Sequence, residues 1–96
     1  MRPLTILEHY EPIPEKKAEL HAELKAIAET TRVEPGCISV KVLIDFRAGT
    51  FLLRSEWASE AAFELHSGLL HVQRFCAISR DLLAKPVESM RVEGIV

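Results

Sequence analysis

Between Cys37 and Trp57 the chain alternates apolar and polar side chains on both sides of a short glycine-bearing turn, and no other feature restricts its architecture as much. In residues 37–44 (CISVKVLI), Ile38, Val40, Val42 and Ile44 fall on one side, with Cys37, Ser39, Lys41 and Leu43 on the other. In residues 50–57 (TFLLRSEW), Phe51, Leu53, Ser55 and Trp57 share a side. A period of two is that of a half-buried strand. The intervening Asp45-Phe46-Arg47-Ala48-Gly49 is short enough to close the pair as a β-hairpin.

The flanking segments supply the rest of a sheet and its cover. Residues 3–10 (PLTILEHY) carry β-branched residues and run out near Pro12 and Pro14, as a strand would. Pro14 suits a first helical turn, and Glu15 follows at the positive helix end. Leu20, Leu24, Ile27 and Thr31 then recur at spacings of three and four, which predicts an amphipathic helix over 14–32 that Pro35-Gly36 stops. Ser59 can cap a helix starting at Glu60, with Ala62, Phe63 and His66 on its inner face. Gly68 interrupts that helix, and a second helical stretch over 71–84 aligns Val72, Phe75, Ser79 and Leu82 before Pro86. Residues 87–95 (VESMRVEGI) read as a last strand, although Gly94 weakens the pattern.

The order β-α-β-β-α(α)-β predicts an α+β, ferredoxin-like fold: a four-stranded antiparallel sheet with helices on one face. At 96 residues the chain has room for one domain spanning 1–96. The other sheet face is then left without a helix, and a substantially apolar face of that kind calls for a partner. Two-fold pairing of sheets predicts a homodimer, which also widens the thin stability margin of so small a domain. The formal charge of −2, with acids and bases interspersed, speaks against a nucleic-acid partner. No apolar run approaches the length of a membrane span. The two lone cysteines, Cys37 and Cys76, with no secretory leader, suggest reduced thiols and a cytoplasmic location.

Four histidines are the main candidates for chemistry. His21 lies on the polar side of the first helix and His9 ends the first strand, and both read as solvated. His66 and His71 flank the break at Ser67-Gly68-Leu69-Leu70, where unpaired backbone groups make a good pocket wall. Imidazole can take a proton from a phenol or enol near neutral pH. It can equally cover the core and bond to backbone, and the residues alone leave both readings open. Two histidines five apart do not share a helix face as zinc-binding pairs do, so no metal is expected. Trp57 is either core filler or the wall of a slot for a flat ring.

The run Trp57-Ala58-Ser59-Glu60-Ala61-Ala62-Phe63-Glu64-Leu65-His66, then His71 and Phe75, and the junction Glu34-Pro35-Gly36-Cys37-Ile38-Ser39 together resemble the antibiotic-biosynthesis monooxygenase (quinol monooxygenase-like) family. The resemblance implies a dimeric α/β barrel with one pocket per subunit. It also implies oxidation of a quinol or other small hydroxylated aromatic by O₂, with no metal or flavin cofactor, because a deprotonated phenol can itself reduce O₂ while the protein supplies desolvation, orientation and a base. His66 or His71 would be that base, and Trp57, Phe63, Phe75 and Ser55 would line the substrate slot. Many relatives carry Glu two residues before the Trp, where this chain has Ser55. The Trp and the iron-binding His of haem-degrading relatives have no counterpart near His66 and Cys76. The same scaffold also suits an isomerase or other proton-transfer enzyme, or a non-catalytic dimer that binds a small ligand.

Overall fold

The computed structural model describes residues 3–96, so Met1 and Arg2 of the predicted domain lie outside it. The elements are β1 (Leu4–Tyr10), a 3-10 turn (Pro14–Lys16), α1 (Lys17–Thr31), β2 (Cys37–Asp45), β3 (Thr50–Trp57), α2 (Glu60–Ser67), α3 (Leu70–Arg80) and β4 (Glu88–Val92). The strands form one antiparallel sheet in the order β2-β3-β1-β4. This is the ferredoxin-like α+β fold, with the helices on one face.

Register decides which side chains meet the helices. Ile6 pairs with Ser55, Glu8 with Leu53 and Tyr10 with Phe51, and this row points inward. Across β3, Val40 and Val42 sit opposite Ser55 and Leu53. Leu20, Leu24 and Ile27 of α1 and Val72 and Phe75 of α3 close over them. Burying each such side chain contributes roughly 1.5–3 kcal/mol. The opposite face carries Leu7, Leu43, Leu52 and Met90 among Lys41, Arg54 and Glu56, and among the described residues no helix packs on it.

Three local expectations change. Ile38 does not join the inward row of Val40 and Val42: the register slips between Cys37 and Ser39, and the extra residue turns Ile38 outward to 52% exposure. The last helix stops at Arg80 instead of continuing to 84, because the following backbone pairs elsewhere. Ile13 N–H donates to the Leu82 carbonyl at 2.9 Å and Ala84 N–H to the Glu11 carbonyl at 2.8 Å. The final strand is confined to Glu88–Val92 by its pairing with β1, which leaves Gly94 beyond it. No helix among the described residues is long and apolar enough to cross a membrane.

Candidate functional site

The site is assembled where the loop after α1 meets the start of α2. Glu34 N–H donates to the Thr31 carbonyl at 3.0 Å and Cys37 N–H to the Glu34 carbonyl at 3.1 Å, so the loop is a tight double turn. Gly36 sits in the left-handed region at φ 84°, which glycine adopts without the steric penalty of a side chain. Its carbonyl accepts from Ala58 N–H at 2.8 Å. A Cβ at this position would lie 2.6 Å from the Ala62 Cβ, so the loop and α2 touch directly.

Ser59 caps α2 as expected, its hydroxyl accepting from Ala62 N–H at 3.2 Å. The helix is thereby started at a fixed residue, and Phe63 and His66, three apart, face inward together. Gly68 N–H donates back to Leu65 and Leu69 N–H to His66, which ends α2, and α3 restarts at Leu70. The break brings His66 and His71 to one carboxylate. Glu34 lies 2.8 Å (Oε1) and 3.1 Å (Oε2) from His66 Nδ1, and its Oε2 lies 3.2 Å from His71 Nε2. The Glu34 and His66 side chains are only 11% and 12% exposed, and His71 is 38% exposed.

A carboxylate on Nδ1 fixes the tautomer. With Nδ1–H donating to Glu34, Nε2 carries the lone pair and is the basic nitrogen of the ring. Among the described residues nothing bonds to that Nε2. The His66 ring leans on Trp57, centroid to centroid 4.6 Å, and Phe63 stands 5.8 Å from Trp57. Trp57 is fully buried, and its indole N–H donates to Ser55 Oγ at 3.0 Å. Arg91 of β4 covers the outer face of Phe63 at 5.6 Å and pairs with Glu60.

Beside His66 lies a cavity of about 120 Å³ between sheet and helices. Its apolar wall comes from Ile27, Val40, Leu53, Val72 and Phe75, and its polar atoms include those of His66, Ser55, Tyr10 and Glu8. Four of the residues singled out from the sequence, Ser55, Phe63, His66 and Phe75, thus border one space. Trp57 stands behind His66 and does not reach it, and His71 borders a separate shallow depression beside Thr30 and Arg74. Burial pushes the Glu8 carboxyl above its usual range. It also raises the Tyr10 phenol, with the nearby Glu8 adding to the effect, and the Cys76 thiol. Among the described residues no three His, Cys, Asp or Glu side chains are grouped as metal ligands would be.

Two of these groups were not singled out from the sequence. Glu34 belonged to a recognised junction, but its role as histidine partner depends on a contact 32 residues long. Glu8 had a local signal, since it is an acid in the inward row of β1 between Ile6 and Tyr10.

Comparison with known proteins adds to this geometry. The family described as "Antibiotic biosynthesis monooxygenase" matches residues 3–78. A Bacillus subtilis protein named "Putative monooxygenase YcnE" is 28% identical over 92 residues, covering 94% of this chain and 97% of its own. An uncharacterized Synechocystis protein, sll1783, is 34% identical over 87 residues; the match covers 90% of this chain, which spans 59% of that protein. The solved structure of Rv0793 from Mycobacterium tuberculosis superposes with a TM-score of 0.93 at 26% identity, over 99% of this chain and 97% of that one.

Proposed function

The chain belongs to the antibiotic biosynthesis monooxygenase family, and on that premise we propose that it oxidises a small hydroxylated aromatic, such as a quinol, with O₂. The observation that carries the reading is the largely buried Glu34–His66 pair at 2.8 Å beside a mostly apolar cavity. With Nδ1 held by the carboxylate, Nε2 is the nitrogen left to take a phenolic proton, and positioned bases of this kind contribute about 10²–10⁴-fold. The resulting phenolate is electron-rich, and the apolar wall withholds the water that would stabilise it.

For a quinol the balance is quinol plus O₂ giving hydroxyquinone plus water. One oxygen atom joins a ring carbon and the other leaves as water. The quinol supplies the electrons, so the reaction invokes neither metal nor flavin. His66 takes the first proton at Nε2, and the Glu34 carboxylate balances the charge that the ring then carries. Phe63 and Phe75 flank the ring of the substrate, and Ser55 and Trp57 hold the wall behind it. His71 assists by bonding the second oxygen of Glu34.

The proposal extends to the assembly. Residues 1–96 form one domain, and two copies pair through the open sheet face bearing Leu7, Leu43, Leu52 and Met90. The apolar character of that face supports the pairing, and the two free thiols suit a cytoplasmic setting as part of the same reading. An oxygen electrode with 1,4-dihydroxybenzene tests the chemistry: the wild-type chain consumes O₂ and His66→Ala does not. Equal rates in both, or no consumption by either, would remove the mechanism. A product that still forms under nitrogen would assign the same base to a proton-transfer reaction instead.

A further inference from the structure

Glu8 is the one carboxyl in the inward-facing row of β1, between buried Ile6 and buried Tyr10. It borders the cavity beside His66. Among the described residues it has neither a hydrogen-bond partner nor an ion-pair partner. Burial raises its pKa, which means that the surroundings resist its charge and give nothing back. A residue serving only to fill that row would be apolar. An unpartnered carboxyl aimed into a cavity is a group waiting for a donor.

Its position in the register separates it from the base. His66 leans on Trp57, which pairs with Leu4 at one end of β1. Glu8 pairs with Leu53, four residues along β3 from Trp57, or about 13 Å of strand at roughly 3.3 Å per residue. Both nevertheless line the same cavity, Glu8 from β1 and His66 from α2. The volume suits a single ring: about 120 Å³ stands close to the roughly 150 Å³ in which a protein cavity takes up benzene.

We propose that Glu8 is the specificity-determining group of this cavity, accepting a hydrogen bond from a ligand hydroxyl on the ring carbon opposite the one whose hydroxyl faces His66. The preferred ligand is then a single ring with donors at opposite positions. The inference rests on the reading of the cavity as the substrate site, and it does not require that oxygen chemistry occur there.

Calorimetric titration under nitrogen, with no turnover, tests it. The probes are phenol and 1,4-dihydroxybenzene against wild type, Glu8→Leu and Glu8→Gln. Wild type binds the dihydroxy ring at least about tenfold more tightly than phenol. Glu8→Leu loses that preference while still binding phenol, and Glu8→Gln, which keeps an acceptor oxygen, retains most of it. A preference that survives in Glu8→Leu, or none in wild type, overturns the proposal. Selective binding without O₂ consumption would sink the monooxygenase reading and leave this one standing. His66-dependent O₂ consumption with an unchanged Glu8→Leu preference would do the reverse.

Discussion

Glu34 grips His66 Nδ1 at 2.8 Å although the two residues lie 32 positions apart, one on the loop that follows α1 and the other in the last turn of α2. The ring is thus oriented by a residue from the first half of the chain and presented by a helix from the second. Its free nitrogen is Nε2, the atom to which the proposed oxidation assigns the first proton.

Breaking this pair separates base from orienting group. His66→Ala is expected to lower turnover about 10²–10⁴-fold. Glu34→Gln leaves the ring in place but weakens its hold and its tautomer, for a loss of about 10–100-fold. His71→Ala, which removes only the more exposed neighbour, stays within about tenfold of wild type. Initial rates of O₂ uptake rank the three, and an order with His71→Ala lowest would move the base to that residue.

Gly36→Ala tests the contact between loop and helix. The new Cβ meets the Ala62 Cβ at 2.6 Å and the backbone is held at φ 84°. Together the crowding and the left-handed strain are expected to cost about 2–4 kcal/mol. For a domain of this size that lowers Tm by roughly 10 °C or more. Adding Ala62→Gly restores the part due to crowding and leaves the part due to φ. Thermal melts of the single and double variants read this directly, and a double variant no better than the single would show that the crowding term is absent.

Ser55→Ala removes the acceptor of a buried indole N–H that lies 3.0 Å away. Leaving a buried donor unpaired costs about 1–3 kcal/mol. In a Trp57→Phe background the same change should cost much less, because no donor remains. A urea-unfolding double-mutant cycle isolates the coupling; identical costs in the two backgrounds would assign Ser55 a packing role only.

The raised carboxyl of Glu8 makes stability depend on pH in a stated direction. Below the unfolded-chain value of about 4.3, Glu8 is protonated in both states and carries no penalty. As pH climbs through that value toward the higher folded one, the unfolded chain releases a proton that the native state retains. Stability therefore falls over this window, and the full penalty persists above it. Glu8→Gln should match wild type near pH 3, where the carboxyl is protonated in both states, and be the more stable of the two at pH 7. A gain that is the same at both pH values would mean that the carboxyl is not desolvated.

Much of the fold was legible because its signals are local. Alternation marked β2 and β3, the spacing of Leu20, Leu24 and Ile27 marked α1, and Ser59 marked the start of α2. The misplacements have causes that are not local. The slip that turns Ile38 outward depends on how β2 meets β3, and the end of α3 at Arg80 depends on backbone bonds to Glu11 and Ile13. Of the residues that the family resemblance named for the site, Ser55, Phe63, His66 and Phe75 border one cavity, while Trp57 and His71 do not reach it. The Glu34 contact was not legible, since nothing in either segment encodes the distance between them.

The fully buried Trp57 is the only indole in the chain, and it lies 4.6 Å from the imidazole. Indole emission responds to charge and to ring contacts nearby. Arrival of a proton or of a ligand at His66 should therefore register as a change in colour or brightness, so the protein carries a native optical gauge that needs no dye.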